Sequence, residues 1–388
     1  MTRQRKLLTI DGGGIRGVLS LEILDEFERQ LAEAQGIPRE HFTLSDFFDY
    51  VGGTSTGCVV AACIARGMSV AEIKKFYHDL GPSMFDNRLY KKALTFFKDQ
   101  SAYDATPLAK ALQTALGEKT TLEPGNLKTL LLAVTRNQTT ASPWPISSNP
   151  AAKYNAANRE DCNLRIPLWK IVRASTAAPL AFRPEKVSWD PSDPSKTFIF
   201  VDGGVTPYNN PAFLIYRMAT EAKYNLGWEA GEDKMMVVSV GTGSSSKGDD
   251  DVLGKTTGFA RFLGNRKIPG ALIQGTMVDQ DVNCRTVGRC VYGQPIDREV
   301  GDLIPRDAEG NPIPLSQDLG RKFLYARYNA HLEQDDLDAM GLSDVKAERV
   351  KKMSSVEFID DLAKVGRRVA QDVNVQDFAP FLHRVEVS

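Results

Sequence analysis

Hydrophobic positions along the first part of the chain alternate between two patterns. Short runs that are apolar on both faces occupy residues 7–10, 47–51, 127–134, 197–201 and 236–240. Such runs are typical of strands buried on both sides of a parallel sheet. Between them, apolar residues recur at helical spacing, as in residues 18–35 and 58–65, and glycine or proline follows. The pattern predicts an α/β fold with a mainly parallel central sheet and helices on both faces.

The remainder of the chain has a different pattern. It is more polar, with helical spacing at residues 345–352 and 356–373. Residues 297–319 are rich in charge, proline and glycine, which predicts a surface loop. We therefore expect a first domain at residues 6–245 and a mostly helical C-terminal portion, at residues 246–388, that caps or regulates it.

The composition excludes several classes of protein. Among the 388 residues, 48 basic side chains against 49 acidic ones leave a formal net charge of −1, which argues against binding of a nucleic-acid polymer over a basic surface. No apolar run approaches the length of about 18 residues that spans a bilayer, and no signal peptide is predicted. Five scattered cysteines form no CxxC pair, so we expect no metal site, no disulfide framework and a reducing cytoplasm.

A GxSxG motif lies where a predicted strand meets a predicted helix, in Gly53-Thr54-Ser55-Thr56-Gly57. Glycines flank the serine because a sharp turn leaves no room for a Cβ on either side. The turn would lift the Ser55 hydroxyl above the sheet and point the N–H of Thr56 toward the same space. Ser55 is therefore a candidate nucleophile, which needs a base to activate it.

A second glycine motif, DGGGIRG at residues 11–17, follows the first predicted strand. Gly12, Gly13 and Gly14 expose backbone N–H groups beside a helix N-terminus, which favours a negative charge. Residues 12, 14 and 17 also fit the GxGxxG of dinucleotide-binding proteins, but the next strand ends in glycines instead of the acidic residue that binds ribose. Nucleotide binding without chemistry and a plain strand-to-helix turn remain alternatives.

The candidate base is Asp202, which directly follows the predicted strand 197–201 in the sequence Asp-Gly-Gly. A carboxylate at a strand end is expected on the same rim of the sheet as Ser55. Of the four histidines, only His331 and His383 follow Asp202, as the chain order of an α/β-hydrolase triad requires. Neither has a glycine-rich or strand-end context, so nothing in the sequence supports a triad.

Together and in this order, the three motifs resemble those of the patatin-like phospholipases, which combine DGGGxRG, GxSxG and DG[AG]. The resemblance covers about residues 6–245 and extends to segments 174–179, 210–212 and 239–243. It implies a three-layer patatin-like fold and a dyad without histidine, in which Ser55 is the nucleophile and Asp202 the base. It also implies an oxyanion hole at Gly12, Gly13 and Gly14, support from Thr56 and Arg16, and neither metal nor cofactor.

The activity implied by the resemblance is hydrolysis of acyl esters in membrane phospholipids. Segments 91–98 and 142–146, the latter around Trp144, are candidates for membrane contact. Bacterial members include antiviral effectors switched on by cyclic nucleotides, so a cyclic nucleotide is an expected activator, and the basic stretch 261–267 is a candidate regulatory site. A homo-oligomer is a further expectation, and a catalytically silent scaffold is a third hypothesis.

Overall fold

The computed structural model describes residues 3–85, 106–179, 182–190, 192–245, 268–353 and 356–382. Its strands, in chain order, are β1 (Arg5–Ile10), β2 (Tyr50–Thr54), β3 (Leu130–Asn137), β4 (Ser142–Ser147), β5 (Glu185–Ser188), β6 (Thr197–Asp202), β7 (Met235–Val240), β8 (Arg289–Tyr292) and β9 (Leu324–Tyr328). Its α-helices are α1 (Gly17–Ala34), α2 (Thr56–Ala65), α3 (Val70–Phe85), α4 (Thr106–Leu116), α5 (Leu168–Ser175), α6 (Ala212–Thr220), α7 (Ile268–Val287), α8 (Gln334–Ala339), α9 (Ala347–Val350), α10 (Ile359–Ala370) and α11 (Ala379–Leu382).

The described strands form one sheet that is mostly parallel. β1 lies at its centre, parallel to β2 on one side and to β7 on the other. β3 continues the parallel part beyond β2, while β9 and then β8 continue it beyond β7. Three pairings around β3 and β6 are antiparallel. The mainly parallel sheet predicted from the hydrophobic pattern is confirmed.

Helices cover both faces of this sheet. Leu8 and Ile10 of β1 contribute to one apolar core, which α1, α2 and α5 also line. Leu7 points to the opposite face and a second core, lined by α6 and the C-terminal end of α7. The alternation follows from the two-residue period of a strand, and it produces the predicted three layers.

The start of β2 differs from the prediction. The apolar run begins at residue 47, but the strand begins at Tyr50. A 3₁₀ turn at Leu44–Asp46, closed by a capping box between Thr43 and Asp46, buries Phe47 and Phe48 before the strand starts. A short apolar run shows burial but does not distinguish a strand from a buried turn.

The C-terminal portion contributes two strands that the sequence did not predict. β9 pairs with β7 and extends the central sheet, and β8 pairs with β9. Each carries a buried arginine, Arg327 in β9 and Arg289 in β8, which interrupts the apolar pattern. The predicted C-terminal helices are present, and α10 packs along α1 with Gly366 against the backbone of Leu19. The division at residue 245 stays a prediction.

Several predicted segments have a clear position, and others lie outside the described residues. Trp144 in β4 is half-buried, with its ring 5.5 Å from that of Phe198 and 5.8 Å from that of Phe200. Segments 91–98 and 261–267 and His383 are not among the described residues. No helix of the described ranges is long and apolar enough to cross a membrane.

Candidate active site

Ser55 occupies a sharp turn between β2 and α2. Its φ of 54° and ψ of −125° are unusual for a residue with a side chain, and such strain is typical of functional turns. A Cβ on Gly53 would overlap the backbone of Gly57, and a Cβ on Gly57 would overlap the backbone of Ile10 and Asp11. Both glycines of the motif are therefore required by close backbone approach, for the reason that the sequence indicated.

The Ser55 hydroxyl donates a hydrogen bond of 2.6 Å to Oδ2 of Asp202. The two residues meet because β2 and β6 share one edge of β3, the other edge being occupied by β4. β2 ends where Thr54 pairs with Val134, and β6, which runs the opposite way, ends where Asp202 pairs with Thr135. The expected reason, parallel strands ending on one rim, was therefore wrong, although the predicted juxtaposition of Ser55 and Asp202 is present.

The environment of Asp202 suits a base that works near neutral pH. The residue is only 4% exposed, and this burial raises the pKa of its carboxyl to about 6. The hydrogen bonds from Ser55 and from the N–H of Gly204, the latter 2.6 Å long, oppose the rise, as does the charge of Arg173. General bases are most effective when their pKa lies close to the working pH.

Two residues of α5 to which the sequence gave no role lie beside the Ser55–Asp202 pair. The Ser175 hydroxyl accepts the N–H of Ser55 at 2.9 Å and donates to the carbonyl of Val134 at 2.7 Å, so it ties the turn to β3. The buried guanidinium of Arg173 lies near enough to Asp202 to lower the pKa of its carboxyl. The family-like segment 174–179 includes Ser175, whereas no motif in the sequence includes Arg173.

The three N–H groups of the predicted oxyanion hole differ in their hydrogen-bond partners. The N–H of Gly12 donates to the carbonyl of Asn209 at 3.1 Å, so it is committed within the protein. The N–H of Gly13 is 3.3 Å from the Thr56 hydroxyl, a long bond that links the loop to the serine turn. No described residue accepts the N–H of Gly14. The N–H of Gly12 thus anchors the loop to Asn209, whereas those of Gly13 and Gly14 are held by a long bond and by no described acceptor, respectively.

Close packing explains why these loop positions are glycines. A Cβ on Gly12 would overlap the Asn209 side chain, and one on Gly13 would overlap Thr242. Gly14 has a φ of 64°, and a Cβ there would overlap the carbonyl of Met353. None of the three needs a bound dinucleotide to account for it.

Two charged residues of the loop are buried. The carboxylate of Asp11, at the end of β1, pairs with Arg327 through an Nη2–Oδ2 contact of 2.6 Å. Arg16, expected to support the site, is only 6% exposed, and its Nε has no hydrogen-bond partner among the described residues. Burial lowers the pKa of Arg16 to about 10. Its guanidinium thus remains charged at neutral pH beside the glycine loop.

The described histidines lie elsewhere. His41 and His78 are exposed, and His331 contacts Ser244 and the carbonyl of Pro295 at 3.3 Å each. None of these three hydrogen-bonds Ser55 or Asp202. Within the described ranges, no group of three or more His, Cys, Asp or Glu side chains is arranged to hold a metal ion.

The sequence model of the patatin-like phospholipases matches residues 8–215, more than half of the chain and all three motifs. The chain belongs to this family. It is 30% identical over 254 residues to a cGAMP-activated phospholipase of Vibrio cholerae, a match that covers 62% of this chain and 65% of that protein. It is 29% identical over 274 residues to Patatin-T5 of Solanum tuberosum, covering 66% of each.

The chain thus spans just under two thirds of the length of these patatin-like relatives. Among solved structures, it matches the crystal structure of VipD from Legionella pneumophila. That match has a TM-score of 0.37 and 12% identity, and it covers 95% of this chain and 66% of VipD.

Replacement of Asp202 by Asn tests the buried carboxylate. The raised pKa means that ionising Asp202 costs more in the folded than in the unfolded chain, so the wild type loses stability as pH rises from about 4 to about 6. Asn does not ionise, so Asp202→Asn should gain up to about 3 kcal/mol relative to the wild type above pH 6 and little near pH 4. Thermal unfolding across this range measures the difference. A stability difference that does not change with pH would contradict the buried charge, and Asp233→Asn, at an exposed position, is the matched control.

Proposed function

We propose that this chain is a lipid acyl hydrolase of the phospholipase A type that cleaves acyl esters of membrane phospholipids. The observation that carries the proposal is the 2.6 Å hydrogen bond from the Ser55 hydroxyl to Asp202, on a strained turn framed by two glycines. Membership of the patatin-like family supports it. In this proposal, residues 6–245 form the catalytic domain and residues 246–388 the regulatory portion.

The first half of the reaction acylates Ser55. Its Oγ attacks the ester carbonyl carbon while Asp202 takes the hydroxyl proton, and the carbonyl oxygen becomes an oxyanion that the N–H groups of Gly13 and Gly14 stabilise. When the tetrahedral intermediate collapses, the bond to the glycerol oxygen breaks. Asp202 returns its proton to that oxygen, and a lysophospholipid leaves.

The second half releases the fatty acid. Asp202, again ionised, takes a proton from water, whose oxygen attacks the acyl carbon, and a second oxyanion forms in the same place. Collapse breaks the bond to Ser55 Oγ, which regains its proton from Asp202. The buried charge of Arg16 beside the loop supplies a positive field for both oxyanions or for the lipid phosphate.

We also propose that a cyclic nucleotide activates this hydrolase and that it acts in the cytoplasm, at the membrane surface, in antiviral defence. Similarity to a cGAMP-activated phospholipase supports the first point. The structure adds that the C-terminal portion contacts the glycine loop directly, since the carbonyl of Met353 accepts the N–H of Ile15 at 3.0 Å. A ligand that alters this portion has a route to the catalytic loop.

Replacement of Ser55 by Ala tests the nucleophile. We expect the folded variant to lose at least about a thousandfold of its phospholipid hydrolysis, because no other group forms the acyl-enzyme. Fatty-acid release from phospholipid vesicles and labelling by a fluorophosphonate probe measure the loss, with the exposed Ser316→Ala as control. Turnover close to that of the wild type in a folded Ser55→Ala protein would refute the dyad.

Replacement of Arg173 by Gln tests the electrostatics of the base. Asp202 must be ionised to take the proton, so kcat/KM should fall below about pH 6 in the wild type. The charge of Arg173 lowers the pKa of Asp202, so its removal should move this fall to higher pH. The pH–rate profile measures the shift, and the exposed Lys186→Gln serves as control. A profile that keeps its position would show that Arg173 has only a structural role.

A panel of cyclic di- and trinucleotides tests the activation. We expect the purified chain to hydrolyse vesicle phospholipids slowly alone and faster with at least one member of the panel, because the ligand binds the active state more tightly. Initial rates of fatty-acid release provide the measurement. Full activity without additive, unchanged by every nucleotide, would leave a constitutive acyl hydrolase.

A further inference from the structure

A cavity of about 290 Å³ lies apart from the Ser55–Asp202 pair, between α7, the ends of β7 and β9, and the loop after β8. No residue of its lining belongs to the predicted catalytic set. We call it the α7 pocket, and its lining includes Gln274, Met277, Gln294, Ile296, Arg285 and Arg327. Its size is at the lower end of the range for small-molecule sites.

The cations in the α7 pocket are already neutralised. Arg327 pairs with Asp11, and Arg285 binds both carboxylate oxygens of Asp281 at 2.9 and 2.8 Å. These two arginines therefore face two carboxylates, and neither is left to bind a phosphate. The interior of the pocket favours a neutral group over an anionic one.

The hydrogen-bonding groups of the α7 pocket suit a heterocyclic ring. The Oε1 of Gln294 is buried and has no partner among the described residues, and Gln274 presents a second side-chain amide to the pocket. An amide places a donor beside an acceptor, which is how glutamine recognises the edge of a nucleobase. Met277 and Ile296 add apolar surface for the faces of a flat ring.

We propose that the α7 pocket binds one nucleobase of the cyclic-nucleotide activator, with the phosphates toward its mouth. This inference rests on the proposed activation and gives it a location. It also assigns the role of activator recognition to Gln294 and Gln274, outside the three catalytic motifs.

One connection from the α7 pocket to the catalytic loop runs through Arg327. This side chain lines the pocket and holds Asp11, whose neighbour is Gly12. Its Nη1 also donates to the Ser239 hydroxyl at 2.6 Å, which fixes the guanidinium between β7 and β1. A ligand that contacts Arg327 can therefore shift Asp11, the residue at which the glycine loop begins.

A second connection runs through Met277. Its Sδ accepts a hydrogen bond of 3.0 Å from the Asn209 side chain, and its carbonyl accepts one of 3.4 Å from Asn210. Asn209 in turn binds Gly12 twice, by its carbonyl and by its Nδ2. A base seated against Met277 and Arg327 thus touches the side chains that contact Asn209 and Asp11, on either side of this route to Gly12. Its differential affinity for two loop positions would set the degree of activation.

Variants of the two glutamines test the proposal on the full chain, with cyclic GMP-AMP as the probe. Gln294→Leu keeps the approximate size but removes donor and acceptor, and Gln274→Leu is a second variant should the first fail to fold. We expect either to raise the Kd measured by calorimetry about tenfold or more. Vesicle hydrolysis without nucleotide should stay unchanged. The exposed Gln317→Leu is the matched control and should behave as the wild type.

The outcomes separate this proposal from the proposed function. Activation with an unchanged Kd in folded Gln294→Leu and Gln274→Leu would overturn the α7 pocket as the site and leave activation intact. A wild type that hydrolyses phospholipid but neither binds cyclic GMP-AMP nor binds or responds to any other nucleotide of the panel would overturn both the activation and the pocket. Binding that is lost in the variants, in a wild type without hydrolysis, would support the pocket and refute the hydrolase.

Discussion

One edge of β3 decides the geometry of the site. β4 occupies the opposite edge, so β2 and β6 must share the remaining one, and they approach each other from opposite directions. Their ends leave room for a single turn, in which the Ser55 hydroxyl meets the Asp202 carboxylate. The position is enclosed by strands and helices, so the carboxylate is buried and its pKa rises to about 6. The sharing of one edge of β3 thus accounts both for the contact between Ser55 and Asp202 and for the raised pKa of Asp202.

Close backbone approach is the second constraint. The serine turn lies directly on the end of β1, with Gly57 against the carbonyls of Ile10 and Asp11. The loop that follows β1 is consequently adjacent to the serine, and the Thr56 hydroxyl joins the two. A Cβ on Gly57 would push the serine turn away from the end of β1 and so separate Ser55 from the glycine loop.

The C-terminal portion contributes a strand to the sheet and a partner for a buried residue of the glycine loop. β9 extends the sheet beside β7, and its Arg327 neutralises the buried Asp11. A buried carboxylate without this partner would be costly, because desolvation penalises an unpaired charge heavily. The glycine loop therefore depends on a residue more than 300 positions later in the chain. The same arginine lines the α7 pocket, so that pocket and the glycine loop share a side chain.

The sequence by itself determined the layered α/β fold, the serine turn and the candidate residues Ser55 and Asp202, because these depend on local pattern: burial on both faces of a run, glycines at a sharp turn, a carboxylate at a strand end. It did not determine that β6 is antiparallel, that Gly12 is bound by Asn209, or that β9 joins the sheet. Those features depend on pairings between distant segments. Arg327 interrupts the apolar pattern of β9, and a buried arginine is not expected in a strand unless its partner, Asp11, is known. Tertiary structure alone decided them, because a hydrogen bond or ion pair between distant residues leaves no periodicity in the chain.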